Sequence, residues 1–310
     1  MIVTVTPNPV LDRTLTVPYI VFNEMVRATA VRVDWGGKGF NVSRALKALG
    51  TESLALGFVG GATGQALERG LRELGITTDF VYIAGETRTN IVITEQETGH
   101  YIKVNEAGPV ISAEELAAFF ALVNRRVRPG DLWILSGSLP PGVSPDFYAR
   151  LIRTVQEAGA QAVLDTSGEP LILGCAAGPY LVKPNAIEAQ EVTRQEIRND
   201  DDAITAARFL LGQGVQMVAL SLGAEGLLLA SREWMVRAWP PRVQVCNPVG
   251  AGDALLAGLV WAMRQALSPE ETARWGVACG TAAAMSEGVA FGSFEAVQTL
   301  YSLSSAHRLL

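Results

Sequence analysis

The sequence predicts an α/β fold built on a mainly parallel sheet. Short apolar runs recur along the whole chain, with helical patterns between them. Several of those runs are apolar almost throughout, which suits strands covered on both faces. Hydrophobic residues make up 49% of the 310 residues and charged residues 18%, a balance that supplies a sizeable core and excludes a disordered chain.

In chain order the strand candidates are Ile2–Thr6, Leu54–Val59, Leu132–Ser136, Ala162–Asp165, Leu181–Lys183, Met217–Ser221 and Gly226–Ala230. The first helix candidate is Asn41–Leu49, where Val42, Ala45, Leu46 and Leu49 follow the i, i+3, i+4, i+7 rule. Glu114–Arg125, Pro145–Ala158, Asp201–Gly212, Ala254–Gln265 and Glu270–Glu287 follow. Two stretches break the rhythm. Residues 11–35 and 87–106 read as strands without intervening helices, and Thr89–Thr94 with His100–Asn105 reads as a hairpin joined near Thr98 and Gly99. They suggest a small separate sheet that covers a site or pairs with another subunit.

Composition narrows the chemistry. The formal net charge of −6 argues against non-specific binding to nucleic acid or anionic membranes. No segment approaches the roughly 20 apolar residues of a membrane span. The N-terminus MIVTVTPNPVLD lacks the basic and apolar regions of a secretory leader. Cys175, Cys246 and Cys279 are far apart and lack metal-ligand spacing, so they read as small buried hydrophobes in a reducing, cytoplasmic setting. His100 and His307 have no nucleophile or metal partner nearby in sequence and read as solvated. No G-x-G-x-x-G fingerprint follows a strand, which disfavours dinucleotide chemistry.

The chemistry-bearing segments are rich in glycine. Asn247-Pro248-Val249-Gly250-Ala251-Gly252-Asp253 leads into an apolar stretch to Met263. Small residues at a helix start let backbone N–H groups approach an anion, and the helix dipole favours it. Asp253 then reads either as a first-turn acid that favours the helix start or as a general base beside an anion nest. Gly36-Gly37-Lys38-Gly39 with Asn41 is a second cradle at a helix start. It is not a Walker A loop, because Gly39 stands where that loop needs Ser or Thr. Lys183-Pro184-Asn185 with Glu188 follows a strand, where open α/β sheets bind ligands. Lys183 suits phosphate and Glu188 suits a hydrated Mg²⁺, although Glu188 alone reads equally as a helix-start acid. Ser221-Leu222-Gly223-Ala224-Glu225-Gly226 reads as a hairpin turn or as a nucleotide loop. Arg27, Arg88 and Lys103 fall in the β excursion, where arginine forks match phosphate oxygens.

Together these segments resemble the PfkB (ribokinase-like) carbohydrate kinases. Gly36 to Ser43, with Gly50 and Gly60 downstream, is similar to the family's first signature, and NPVGAGDALLAGL at 247–259 to its second. Thr6-Pro7-Asn8-Pro9 with Asp12, Gly85 to Arg88, Ser136 to Pro140, Lys183 to Glu188 and SLGAEG at 221–226 also match, from the first strand to about Gly292. The combination resembles the branch holding 1-phosphofructokinase and tagatose-6-phosphate kinase. It departs from ribokinases in having Asn247-Pro248 where Asp-Thr is common, and Ala254 where Ser often follows the acid.

The resemblance implies a ribokinase-like three-layer fold over residues 1–310 as a single kinase domain. The β-sheet lid comes from about 11–35 and 87–106 and in many relatives forms a homodimer interface. It implies Mg²⁺ and ATP, and a phosphosugar acceptor: fructose 1-phosphate first, tagatose 6-phosphate as the alternative. A 6-phosphofructokinase or a non-catalytic phosphosugar sensor ranks below these. By resemblance Asp253 is the general base, with Gly250, Ala251 and Gly252 as the anion hole. Asp12, Gly37 and Asn41 would hold sugar hydroxyls. Lys38, Arg88, Arg27 and Lys103 would meet the sugar's own phosphate, with Ser138 lining the pocket. Lys183, Asn185, Ser221, Gly223, Ala224, Glu225 and Gly226 would form the nucleotide side, and Glu188 the water-mediated Mg²⁺ site.

Overall fold

The computed structural model describes residues 1–286 and 291–309. The chain opens with β1 (Ile2–Thr6), β2 (Val10–Val17) and β3 (Ala30–Gly36), then α1 (Lys38–Ala48), β4 (Leu54–Gly60) and α2 (Gly61–Glu73). Short strands β5 (Thr77–Thr78) and β6 (Val81–Ile83) precede the pair β7 (Arg88–Glu95) and β8 (Tyr101–Asn105). An alternating run follows: α3 (Ala113–Arg126), β9 (Leu132–Ser136), α4 (Phe147–Glu157), β10 (Gln161–Asp165), α5 (Gly168–Ala176), β11 (Leu181–Val182), α6 (Ala186–Thr193) and α7 (Asp200–Gly212). The last part holds β12 (Met217–Ser221), β13 (Leu227–Ser231), β14 (Met235–Trp239), α8 (Ala251–Arg264), α9 (Pro269–Ala284), α10 (Phe294–Leu303) and β15 (Ser305–Arg308).

The large sheet has the order β15-β14-β13-β12-β11-β10-β9-β1-β4-β5, with β6 also on β4. It is parallel from β12 through β5 and antiparallel from β12 to β15. Alternation along the strands explains the two helix layers. Val3, Val5, Trp133, Leu135, Ala162 and Leu164 share a core with Phe119, Phe147 and Leu210 of α3, α4 and α7. Ile2, Ile134 and Val163, one residue out of phase, share the opposite core with Leu46, Leu256 and Val277 of α1, α8 and α9. α8 and α9 pack very closely: a Cβ on Gly258 would stand 2.6 Å from the Trp275 carbonyl oxygen.

A separate sheet has the order β3-β2-β7-β8. Its register places Asp12, Asp34, Asn90 and Arg88 on one face, and Val33, Ile91 and Val104 on the other. Val31, Val33, Ile102 and Val104 on that second face are exposed. With Ile91 they form an exposed apolar patch on that face.

Several elements lie outside the sequence candidates for identifiable reasons. α2 carries Gly61, Gly64 and Gly70, which lower its helical signal. Gly70 is required because a Cβ there would stand 2.0 Å from the Trp35 ring. α5 is short and apolar without a clear stripe. α10 is started by Ser293, whose side chain accepts from the Ala296 amide. The expected helix over Glu270–Glu287 is found as α9, and Glu287 lies outside the described residues. Cys175 and Cys279 are buried, and burial pushes the Cys175 thiol up to about 12. Cys246 corrects the expectation: it is exposed, on the segment entering α8. His307 is exposed, as expected, and stands on β15. It pairs with Arg237 in the sheet, and its ring packs 5.6 Å from that of Trp239.

Candidate active site

Parallel strands place their C-terminal ends on one edge, and a ligand crevice opens where the chain's direction of travel across the sheet reverses. Here the reversal lies between β1 and β9, since the chain leaves β1 for β4 on one side and reaches β9 on the other. Asn8 follows β1, Ser138 follows β9, Asp165 ends β10, Lys183 follows β11 and Ser221 ends β12. This shared edge is why residues scattered through the sequence converge.

The centre of the edge is a charged cluster. Asp253 lies in the first turn of α8, 6% exposed, and its Oδ2 accepts from Asn41 Nδ2 at 2.8 Å. Asp165 has no solvent exposure, and its Oδ1 takes both Lys38 Nζ at 3.1 Å and Lys183 Nζ at 3.3 Å. Burial raises the Asp253 pKa, the Asp165 charge raises it further, and Lys38, Asn41 and Lys183 oppose; the outcome is about 6. Burial pushes Asp165 the same way, but Lys183 and Lys38 hold it below the usual carboxylate range. Asp165 raises the pKa of Lys38 strongly, with Asp253 and Glu188 adding to it. A carboxyl near 6 beside a carboxylate held charged by two ammonium groups is an arrangement that can separate proton acceptance from charge anchoring.

The helix start opposite has the backbone geometry that can receive an anion. Gly250 caps α8 at φ +83°, a left-handed conformation that glycine adopts without strain. A Cβ on Gly252 would lie 3.4 Å from Lys183 Nζ, so the first-turn backbone and this ammonium face the same space. Ala251 contributes less than expected, because its N–H already donates to the Pro248 carbonyl at 3.2 Å. Gly252 and Asp253 occupy the first-turn positions whose N–H groups have no acceptor within the helix.

A second group gathers on the polar face of the small sheet. Asp12 Oδ1 accepts from Asn90 Nδ2 at 2.9 Å. Burial raises the Asp12 pKa against the pull of Asn90, Lys103 and Arg88. A side chain at Gly36 would reach within 2.3 Å of Asp12 Oδ2, so the first glycine of the cradle makes room for this carboxylate. Gly37, at φ +143°, caps α1 and turns the chain into Lys38 and Asn41. Arg88 donates to the carbonyls of Asn8 at 3.1 Å and Glu106 at 3.0 Å, while its buried Nε has no partner. Ser138 is near Asn8, whose Nδ2 donates to its Oγ at 3.5 Å.

The third group forms around the ends of β11 and β12. Asn185 and Glu188 cap α6 reciprocally: Asn185 Oδ1 accepts from the Glu188 amide, and Glu188 Oε2 from the Asn185 amide, both at 2.8 Å. The helix-start reading of Glu188 is what the structure shows, and the residue also lies within electrostatic reach of Lys38. Ser221 bridges to Asn185, and its Oγ donates to the Pro184 carbonyl at 3.4 Å. Gly223, Ala224 and Glu225 form one exposed 3₁₀ turn, so SLGAEG is both a hairpin connection and a loop on the site's edge.

The structure places two groups of expected residues in ways the sequence does not show. The resemblance groups Lys38 with the sugar's phosphate and Lys183 with the nucleotide, yet both share one oxygen of Asp165 beside Asp253. Arg27 is exposed in the connection between β2 and β3, and no described hydrogen bond or ion pair joins it to Arg88 or Asp12. Asp165 is the residue that sequence reasoning missed. Its signal was its place as the last residue of a buried parallel strand, where a carboxylate has no packing role. Asn8 and Asn90 also went without a role.

Several polar atoms around this edge have no partner within the protein. Asp165 Oδ2, Asn41 Oδ1, Asn8 Oδ1 and Asn90 Oδ1 are buried without partners. Among the described residues no group of three or more His, Cys, Asp or Glu forms a metal cage. Glu188 is half-buried, and one of its oxygens accepts from the Asn185 amide, which leaves a single carboxylate to hold Mg²⁺ through waters, a mode that cation accepts.

Residues 6–296 match the model of the pfkB family carbohydrate kinases. A 1-phosphofructokinase of Bacillus subtilis is 36% identical over 300 residues, 97% of each chain. A tagatose-6-phosphate kinase of Staphylococcus epidermidis is 31% identical over 290 residues, 93% of each. The crystal structure of phosphofructokinase-2 from Escherichia coli in complex with potassium superposes with a TM-score of 0.92 at 32% identity, covering 97% of this chain and 98% of that one.

Proposed function

The chain belongs to the pfkB family of carbohydrate kinases, phosphotransferases with an alcohol acceptor, and we propose that it phosphorylates a ketohexose phosphate with ATP, foremost fructose 1-phosphate on its 6-hydroxyl. The observation that carries this reading is Asp253: a buried carboxylate with a pKa near 6, hydrogen-bonded to Asn41 at a glycine-capped helix start facing Lys183. A pure binding protein has no use for a titrating base there.

In the reaction the Asp253 carboxylate takes the proton of the attacking hydroxyl. The hydroxyl oxygen bonds to the γ-phosphorus, the bond from the γ-phosphorus to the β–γ bridging oxygen breaks, and ADP leaves. Asn41 fixes the direction of the Asp253 oxygen, and Asp12 with Asn90 accepts and donates to sugar hydroxyls. The amides of Gly252 and Asp253, with Lys38 and Lys183, face the charge on the transferred group. Preorganised donors of this kind are the largest contribution to many enzymatic rates. Mg²⁺, when bound, would neutralise charge on the nucleotide phosphates, and Glu188 would hold it through water. The Ser221–Gly226 turn and Asn185 form the nucleotide side.

Arg88 supports an acceptor that is already phosphorylated. It lies on the same sheet face as Asp12, with a buried Nε that lacks a partner, and Lys103 adds charge to that face. The same face would cover the sugar and exclude water, which otherwise competes as acceptor. The opposite, exposed apolar face suits a second copy of the chain, giving a homodimer through the lid; Ile91→Lys would then shift the mass measured by light scattering to that of one chain.

The substrate is tested by steady-state comparison of fructose 1-phosphate, fructose 6-phosphate and tagatose 6-phosphate. The highest kcat/KM is expected for fructose 1-phosphate. Tagatose 6-phosphate is the second reading, since a phosphoketofuranose has similar ends and one relative carries that name. A higher kcat/KM for tagatose 6-phosphate replaces the first reading with the second.

A further inference from the structure

Arg237 is a buried cation, 2% exposed, that none of the chemistry above uses. It stands on β14 opposite Leu228 of β13. An apolar side chain would fill such a position in a sheet core without the cost of burying charge. What the guanidinium supplies is a fork of N–H donors. Nη1 donates to the carbonyls of Glu225 at 2.7 Å, Ala238 at 2.9 Å and Leu227 at 3.3 Å. Nε donates to Asp200 Oδ1, in the first turn of α7, at 2.9 Å. The guanidinium carbon lies 4.8 Å from the centre of the Trp239 ring.

The carbonyls define its target. Glu225 and Leu227 are the two neighbours of Gly226, where the exposed 3₁₀ turn re-enters the sheet. Gly226 holds φ +92°, and a Cβ there would stand 2.2 Å from the Ala238 carbonyl oxygen. Its amide donates to Gly223 and its carbonyl accepts from Leu222, so the turn closes on itself. Arg237 grips both sides of that closure from beneath. The orientation of Gly223, Ala224 and Glu225 at the surface is then set by a side chain that cannot reach a ligand itself.

We propose that Arg237 is a positioning residue for the nucleotide: it aims the backbone of the Gly223–Gly226 turn and, through Asp200, ties that turn to α7. The inference rests on reading this turn as the nucleotide side of the kinase site. Removing the guanidinium frees three carbonyls and lets the turn sample other orientations. The effect falls on ATP, because the sugar groups lie on other elements.

The test measures KM for ATP, KM for the sugar phosphate, kcat at saturation and thermal stability in four variants: Arg237→Met, Arg237→Lys, Asp200→Ala and Ala224→Asp. Ala224→Asp probes the turn directly by setting a carboxylate against the nucleotide phosphates. Arg237→Met is expected to raise KM for ATP about tenfold, with the sugar KM and kcat within about twofold. Arg237→Lys recovers part of the loss, and Asp200→Ala, which keeps the fold around an intact Arg237, gives a smaller rise of the same kind. If Ala224→Asp raises KM for ATP while the Arg237 and Asp200 variants do not, the inference is overturned and the turn's role stands. If no variant moves KM for ATP, both are overturned. Equal rises in both substrates' KM across the folded variants make Arg237 merely structural and also overturn the inference.

Discussion

Replacing Asp253 by Asn removes the proposed base and a buried charge in one step, so it has two consequences. The first is kinetic: loss of a positioned base lowers kcat by about 10²–10⁴-fold. The second concerns stability. The carboxyl titrates at about 6 in the fold against 3.8 for an ordinary aspartate, because of burial and the Asp165 charge. A raised acid pKa means that the fold favours the protonated form. Stability is therefore fully present below about pH 4 and is lost as pH rises through about 6. A shift of about two units corresponds to about 3 kcal/mol of folding free energy above that range. The substituted side chain carries no charge, so the variant escapes this loss. Its amide can donate to Asn41, whose Oδ1 lacks a partner at present. For a chain of this length, escaping that loss corresponds to a melting temperature higher by roughly several degrees. The assay is thermal unfolding of both proteins from pH 4 to 8, beside their turnover at pH 7.5. A folded variant that is slow yet more stable above pH 7, with the gap closing toward pH 4, is expected. A variant with undiminished turnover, or with a stability difference independent of pH, refutes the reasoning.

Other outcomes follow from the same geometry. Arg88→Ala is expected to raise KM for the sugar phosphate about 10- to 100-fold, the loss of a charge-assisted fork, with KM for ATP within about twofold; steady-state kinetics checks it. In the native enzyme kcat/KM should rise with pH through about 6 as Asp253 loses its proton. Asp165→Asn removes a charge that raises this pKa and frees Lys38 and Lys183 to lower it, so the acid limb of the pH profile of its residual activity should move down. The substrate's own phosphate titrates nearby but is the same for both proteins. Glu188→Gln keeps an acceptor for the Asn185 amide and removes the carboxylate charge; the Mg²⁺ concentration for half-maximal rate should rise severalfold with little change in melting temperature.

The layered sheet was legible because period-2 and near-continuous apolar runs have one physical meaning in a buried strand. Ile2–Thr6, Leu132–Ser136 and Met217–Ser221 are found with the expected bounds. Helix starts were less legible. α1 begins at Lys38 and α8 at Ala251, because the small cradle residues themselves wind into the first turn. α2 was hidden by glycines whose reason lies across space, in the Trp35 ring. The acid and the glycines of 247–253 could be read as a site, since small residues before a lone carboxylate carry a local signal. Asp165 could not be found this way. Its meaning depends on Lys38 and Lys183, which are distant in sequence and meet only when α1, β10 and β11 are assembled. The pairing of those lysines was invisible for the same reason.

The most direct test of phosphoryl transfer by this site is product analysis after incubation of the protein with Mg²⁺, ATP and fructose 1-phosphate. Phosphorus NMR would follow the sugar while ADP is measured in parallel. The account predicts fructose 1,6-bisphosphate and ADP in equal amounts, with formation of both falling by orders of magnitude in Asp253→Asn. ADP formation that stays at background with fructose 1-phosphate, fructose 6-phosphate and tagatose 6-phosphate alike would contradict it.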